Sequence, residues 1–385
     1  GDHRDLHLSL RRQRQMCIRD RLQYMQFSRN IEKVNMSKTA EVSDLALSLK
    51  EQGHNIVNMA TGELSFKPAL SIRKEACRTI NKGETLYTEV AGRKELRDLI
   101  SVKLKKDLKI EYKCDEIIVS NGGKQVIYNA LQSTINRGDE VIIISPYWVS
   151  YPEIIKLCGG RPKVLNTKRG EGFSINTEKL EKLITSKTKW IILNSPNNPT
   201  GVVYSPETIK KLVLVLKKYP DIWILSDEIY EKLNFSTYQK LSILHIDKKL
   251  KERTLVVNGF SKGYCMTGWR LGYGAGPKIL IEAMKKIQSQ STSAANTIAQ
   301  NAAMKALELD NNHFEAIKAS LLKRRAIVIS TLSDLEGFDS NFSQGAFYLF
   351  PSIEKFLGKR LNGKDIILND TNSVSYTHLT LPTKA

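Results

Sequence analysis

No apolar run in this 385-residue sequence approaches the length needed to cross a bilayer; the longest, such as residues 141–144 and 190–193, are strand-sized. That leaves no candidate for a membrane-spanning helix, and no membrane partner is expected. Cysteine is scarce. The five residues Cys17, Cys77, Cys114, Cys158 and Cys265 form no CxxC pair, and the nearest two lie 37 positions apart. An odd, scattered set excludes a disulfide framework and fits reduced thiols, so a cytoplasmic location is expected. The six histidines are equally dispersed, and no metal site is expected from them. Internal repeats, low-complexity stretches and an N-terminal signal core are also missing.

Hydrophobic residues make up 41% of the chain and charged residues 26%, enough to bury one large core or two ordinary ones. The 59 Lys and Arg against 40 Asp and Glu leave a formal charge of +19. Such an excess invites a nucleic-acid reading through phosphate neutralisation. Here, however, the lysines are spread along helical stretches, often beside glutamate, with no stripe of interleaved aromatics, and no nucleic-acid partner is expected. The two ends differ from the middle. RQRQMCIRDR near the start and VSYTHLTLPTKA at the end read as translated adapter sequence, so residues 1–24 and 373–385 are expected to be foreign to the fold.

Between them, strand-like and helix-like patterns alternate, which predicts an α/β sheet buried on both faces. Residues 180–184 and 208–217 carry helical spacing. Five short runs rich in Val and Ile read as strands: residues 117–119, 141–144, 190–193, 222–225 and 255–257. Each is followed at once by polar, Gly- or Pro-bearing residues: SNGGK, SPYW, NSPNNPTG, SDEIY and NGFSK. Ligands of open α/β sheets bind beyond the carboxyl ends of the strands. Five strand ends therefore offer a Gly-Gly pair, an indole, an asparagine, an aspartate with a tyrosine, and a lysine.

Their chemistry is complementary. Gly122 and Gly123 precede a helix predicted over residues 124–135, so their backbone N–H groups can cradle a phosphate at its positive terminus. Arg270 can complete the cradle with a bidentate guanidinium. Lys262, in a largely buried cleft, can lose its proton and act as a nucleophile. Asp227 at the end of a central strand needs a cationic partner, which a protonated pyridine nitrogen supplies. Tyr230 can donate to a phenolate oxygen, and Trp148 offers a face for an aromatic ring. A ring carrying a nitrogen, a phenolate, a phosphate and an aldehyde is pyridoxal 5'-phosphate. Taken singly, each residue has a plainer explanation: a turn, a core tryptophan, a helix N-cap, a surface lysine. Their joint occurrence, in order and each at a strand end, favours the cofactor.

The motifs Thr61-Gly62-Glu63, Tyr87-Thr88 with Gly92, NSPNNPTG at residues 194–201, SDEIY at 226–230, Ser261-Lys262, Gly268-Trp269-Arg270 and Gly345-Ala346-Phe347-Tyr348 resemble those of class I pyridoxal-phosphate aminotransferases of fold type I. The likeness runs from about Val34 to Phe350. GGKQ at 122–125, SPYWVSYP at 145–152, MTGWR at 266–270 and SQST at 289–292, leading to TIAQ at 297–300, are similar to the bacterial aspartate branch, some members of which also accept prephenate. The resemblance implies a large cofactor domain over residues 62–300, with a mostly parallel sheet flanked by helices. A smaller α/β domain would combine residues 25–61 with 301–372 and is cut short at its C-terminus. It makes Lys262 the cofactor-bearing lysine and, with Asp227 and Tyr230, the catalytic set. Asp227 would face the pyridine nitrogen, Asn198 and Tyr230 the ring oxygen, and Trp148 the ring. Gly122, Gly123, Lys124 and Arg270 would surround the phosphate, with Tyr87 reaching across from a second subunit of a homodimer. Gly62 would lie against the substrate α-carboxylate, near Trp148 and Asn198. Lys124 and Thr39 match positions that read a distal carboxylate, with Ser291 or Thr292 contributing from the partner.

The implied reaction is transamination between L-aspartate and 2-oxoglutarate, in amino-acid biosynthesis. The alternatives are another amino-donor specificity (prephenate, aromatic, alanine) or a chain that binds cofactor without turnover. Two positions depart from the family pattern. Its α-carboxylate arginine has no counterpart after Phe350, where Arg360 is the only arginine. Gly259 stands where many relatives carry a phosphate-binding hydroxyl, with Ser261 nearby.

Overall fold

Alternation along the strands builds two cores at once. In the computed structural model, β1 (Ile117–Ser120), β2 (Glu140–Ser145), β3 (Arg161–Asn166), β4 (Thr188–Asn194), β5 (Trp223–Asp227), β6 (Thr254–Gly259) and β7 (Gly272–Ala275) form one sheet. Its order is β1-β7-β6-β5-β4-β2-β3. Only β7 runs antiparallel to its neighbours. Val141 and Ile143 of β2 face one core, while Ile142 and Ile144 face the other; Trp190 and Ile192 of β4 oppose Ile191 and Leu193 in the same way. A strand with a period of two, buried on both faces, has apolar residues at every position, which is why these runs stand out in the sequence. Each such side chain contributes about 1.5–3 kcal/mol when fully buried.

The structure describes residues 27–28, 30–59, 61–237, 241–336, 338–340, 343–361 and 365–366. The stretches 1–24 and 373–385, expected to be foreign, lie outside them. The described residues fall into two compact units, those up to Asn35 and those from Met36 on. The first contributes a short 3-10 turn, Ile31–Lys33. The second holds the sheet and its helices: α1 (Lys38–Glu51), α2 (Leu70–Asn81), α3 (Lys94–Leu108), α4 (Gly123–Thr134), α5 (Ser150–Leu157), α6 (Thr177–Leu183), α7 (Pro206–Lys217), α8 (Ile243–Ile246), α9 (Lys278–Ser289), α10 (Thr297–Leu307) and α11 (Asn311–Ser333).

Local chemistry sets the helix starts. α7 begins two residues before the predicted 208 because Ser205 caps it, accepting from the Thr208 N–H, and Pro206 supplies a preset φ at the first turn. α4 starts at Gly123 rather than 124, after Gly122 at φ 88° turns the chain out of β1. A left-handed residue there suits only glycine without strain.

Beyond α11 lie two small two-stranded pairings, β8 (Asp339–Ser340) with β9 (Pro351–Ser352) and β10 (Arg360–Leu361) with β11 (Asp365–Ile366). Between β8 and β9, residues 343–348 are stitched onto the loops after β4 and β5. Gln344 N–H donates to Gly201 O, Phe235 N–H to Gln344 O, and Ala346 N–H to Leu233 O. That stitching carries Tyr348 to the carboxyl edge of the sheet.

Candidate active site

The carboxyl ends of β1, β2, β4, β5 and β6 lie along one edge of the sheet, and the side chains beyond them form a continuous chain of contacts. It begins at α4. No side chain caps this helix, and among the described residues the N–H groups of Gly123 and Lys124 have no protein acceptor. Arg270, held in the left-handed region at φ 53°, packs over this terminus: a Cβ on Gly122 would stand 2.5 Å from its Nη2. A Cβ on Gly272 would stand 2.4 Å from Gly123 N. Unpaired N–H groups, a positive helix terminus and a guanidinium thus meet in a pocket kept open by glycines, a seat for a phosphate.

From the same helix, the Lys124 ammonium lies 5.0 Å from the Trp148 ring centroid. Burial, and then neighbouring Arg270, lower its affinity for a proton. Trp148 meets Tyr151 edge-on at 5.3 Å. Tyr151 donates a 2.6 Å hydrogen bond to the Oδ2 atom of Asp227, which is only 6% exposed at the end of β5. The Ile229 N–H donates to Oδ1 at 3.3 Å. Asn194 braces the neighbouring backbone, donating to Asp227 O at 3.1 Å and accepting from the Asn198 N–H at 2.8 Å. Tyr151 and Asn194 thus fix the two strand-end residues, Asp227 and Asn198. Neither stood out in the sequence as a site residue, although each lies inside a quoted motif.

Asn198 Nδ2 donates at 3.5 Å to the Tyr230 hydroxyl and at 3.4 Å to that of Tyr348. Lys262 completes the ring of contacts: its ammonium donates to Gly62 O and lies 6.0 Å from the Tyr230 ring centroid and 5.6 Å from that of Phe347. Burial brings the Lys262 amine down from 10.5 to about 8. Glu63 opposes that shift, Arg270 adds to it, and Asp227 opposes it. The Tyr230 phenol is pushed well above its usual range by burial and by Tyr348 and Asp227, so it stays a donor.

The structure therefore brings together Gly62, Gly122, Gly123, Lys124, Trp148, Asn198, Asp227, Tyr230, Lys262 and Arg270. The remaining candidates make their described contacts outside this set. Thr39 is exposed in the first turn of α1, where it shares a hydrogen bond with Ser37. Tyr87 is 94% exposed. Ser291 donates to Ile287 O, and Thr292 accepts from Gln125. The backbone of Arg360 lies in β10. Gly259 has a packing reason of its own: a Cβ there would stand 2.9 Å from the Gly272 Cα and 3.0 Å from Leu271 O.

The donor set fits a phosphorylated pyridine aldehyde. The phosphate cradle, an acceptor carboxylate, phenol and amide donors and a partly deprotonated lysine belong to one connected cluster.

A family model described as aminotransferase class I and II matches residues 54–379. The probable aspartate/prephenate aminotransferase of Rhizobium leguminosarum bv. phaseoli is 42% identical over 345 residues, 90% of this chain and 86% of that one. The Rickettsia prowazekii protein of the same description is 42% identical over 349 residues, 91% and 88% of the two chains. Among solved structures, the aspartate aminotransferase from Rhizobium meliloti superposes with a TM-score of 0.87 at 36% identity, covering 91% of this chain and 88% of the other. That of Thermus thermophilus with maleate gives 0.80 at 37% identity over 84% of each.

Proposed function

The chain belongs to the class I and II aminotransferase family, and from that premise we propose that it transfers an amino group between L-aspartate, or a closely similar amino acid, and 2-oxoglutarate, using pyridoxal phosphate carried on Lys262. The observation that carries this reading is Lys262 itself: a buried amine whose pKa is brought down to about 8, tied to Gly62 O, beside Asp227 and the cradle of Gly123, Lys124 and Arg270. When bound, pyridoxal phosphate supplies an electron sink that acidifies the α-carbon of an attached amino acid.

The protein's own residues do the rest. The N–H groups at the start of α4 and the Arg270 guanidinium bind the phosphate. Asp227, oriented by Tyr151 and the Ile229 N–H, presents a carboxylate that stabilises a protonated ring nitrogen. Tyr230 and Asn198 donate to the ring oxygen. When it is not bonded to the cofactor, the Lys262 amine, poised at about 8, would take up a proton from the substrate α-carbon and give it back, acting as general base and then general acid.

Lys124 sets the substrate class. Its cation, partly desolvated over Trp148, gains from a second carboxylate and is left unpaired by an apolar side chain. The names of the relatives, aspartate and aspartate/prephenate aminotransferases, support the same class of donor. The proposed assembly is a homodimer in which Tyr87 completes the partner's phosphate seat, and the proposed setting is the cytoplasm.

Replacing Lys262 with Ala tests the assignment. Transamination with aspartate, 2-oxoglutarate and prephenate should all be lost, together with the visible absorbance of lysine-bound pyridoxal phosphate. An enzyme that kept both would refute the role of Lys262. Turnover with an aromatic donor in place of aspartate would overturn the specificity alone.

A further inference from the structure

The segment Gly345-Ala346-Phe347-Tyr348 reaches the cleft, and the reaction outlined above gives it no task. Tyr348 is nonetheless tied into the cleft by its hydroxyl. It lies 2.5 Å from the Tyr230 hydroxyl, accepts from Asn198 Nδ2 at 3.4 Å, and occupies the space beside Gly62, where a Cβ would stand 2.7 Å from it. The two phenol rings pack edge to face at 5.6 Å, so the hydroxyls meet without distortion of either ring. The backbone bonds of Gln344 and Ala346 and the Ser343 hydroxyl on Gly345 O fix this strap against the strand-end loops. Tyr348 is therefore placed by the fold rather than by its own flexibility.

We propose that Tyr348 is a positioning residue for the reaction, its hydroxyl bonding that of Tyr230 so that Tyr230 turns its own proton toward the ring oxygen of pyridoxal phosphate. This rests on the cofactor reading above. Each phenol has one proton to give and lone pairs to accept with. If Tyr230 spends its proton on Tyr348, it has none for a ring oxygen. If Tyr348 donates instead, Tyr230 accepts from Tyr348 and Asn198 and becomes a stronger donor, because hydrogen bonds in a chain polarise one another in a poorly solvated site. Both phenols remain protonated at neutral pH: burial is the main cause for each, and Tyr348 is pushed up to about 12. Among the described residues, the charged and titratable groups near the pair include Asp227 at the end of β5, Tyr151 of α5 and Lys262 after β6, while Glu63, Arg324 and Arg325 line the cavity beside Tyr348. Glu63 and Arg270 act on the same lysine.

The test is a pH titration of the visible absorbance of the pyridoxal-phosphate enzyme. In Tyr348→Phe the ring and its packing stay, but Tyr230 is a weaker donor. The ring oxygen then holds its shared proton more tightly, and the midpoint should rise by about half a pH unit. Gly62→Ala gives an independent check, since its methyl would displace the same hydroxyl and move the midpoint in the same direction. In the double variant the two shifts should not add, because phenylalanine has no hydroxyl for the methyl to meet. An unchanged midpoint in Tyr348→Phe, or shifts that add fully, would overturn the assignment. A parent enzyme that forms no visible absorbance, or keeps it after Lys262→Ala, would refute the cofactor reading itself, and the role of Tyr348 with it.

Discussion

Lys262 carries opposite demands in folding and in chemistry. Its amine is lowered from 10.5 to about 8, chiefly by burial, so the cofactor-free chain holds a charge there at a cost of roughly 3 kcal/mol at neutral pH. The sign follows from proton counting. Between about pH 8 and 10.5 the unfolded chain binds more protons than the folded one at this position, so stability rises with pH across that window, and the full cost is present below it. Lys262→Met should therefore stabilise the cofactor-free protein by about 2–3 kcal/mol at pH 7 and by much less near pH 10, read as the difference in urea unfolding free energy between the two proteins. An equal difference at both pH values would show that packing, not ionisation, sets the gain. At this scale the sequence was most informative about residues with distinctive chemistry at strand ends, such as Lys262, Asp227 and the Gly122-Gly123 pair. It was silent on Tyr151 and Asn194. Their importance lies in one hydrogen bond to Asp227 and one to Asn198, between groups 76 and 4 residues apart, and a tyrosine or asparagine carries no sign of its partner.

Elements were legible in proportion to how apolar they are. Strands β1, β2, β4, β5 and β6 announce themselves because both faces are buried. β3 and β7 do not. β3 (RPKVLN) lies at the sheet edge and is mostly half-exposed. β7 (GYGA) is fully buried but half glycine, so it lacks the apolar run that marks a strand. Its glycines are demanded by closeness. A Cβ on Gly272 would stand 2.4 Å from Gly123 N and 2.7 Å from the Gly122 carbonyl carbon, and one on Gly274 would stand 2.7 Å from a Val126 methyl. The strand that is hardest to read is thus the one that lets α4 press its N-terminus against the sheet and form the cradle. Gly272→Ala should separate them, destabilising the fold by about 1–3 kcal/mol through overpacking and weakening pyridoxal-phosphate binding more than tenfold. Urea unfolding of the cofactor-free protein and fluorescence titration with the cofactor read the two effects separately. Unaltered cofactor affinity would mean that the cradle does not depend on this contact.

At the scale of the molecule, many exposed lysines are paired locally with acids. Examples are Lys94 with Asp98 and Lys211 with Glu207, each one helical turn apart. Such pairs are worth little individually. More telling is what stays uncovered beside the active site. Leu86 and Tyr87 are 82% and 94% exposed, although the backbone around them is anchored, with the Thr297 hydroxyl donating to Leu86 O. An ordered, exposed apolar pair of this kind suits an interface, and the resemblance had already cast Tyr87 as a residue lent to a second subunit. If so, each site combines Lys262 of one subunit with Tyr87 of the other. A subunit carrying Lys262→Ala and one carrying Tyr87→Ala would then form a hybrid with one site holding both defects and one holding neither. Mixing the two weak homodimers under exchange should restore activity above their average, toward about a quarter of the parent level, because roughly half the dimers become hybrids with one intact site each. Activity that never exceeds the average of the unmixed variants would place Tyr87 in its own subunit's site, or outside any site. Complementation would show the active site to be a property of the dimer, built from residues that no single chain brings together.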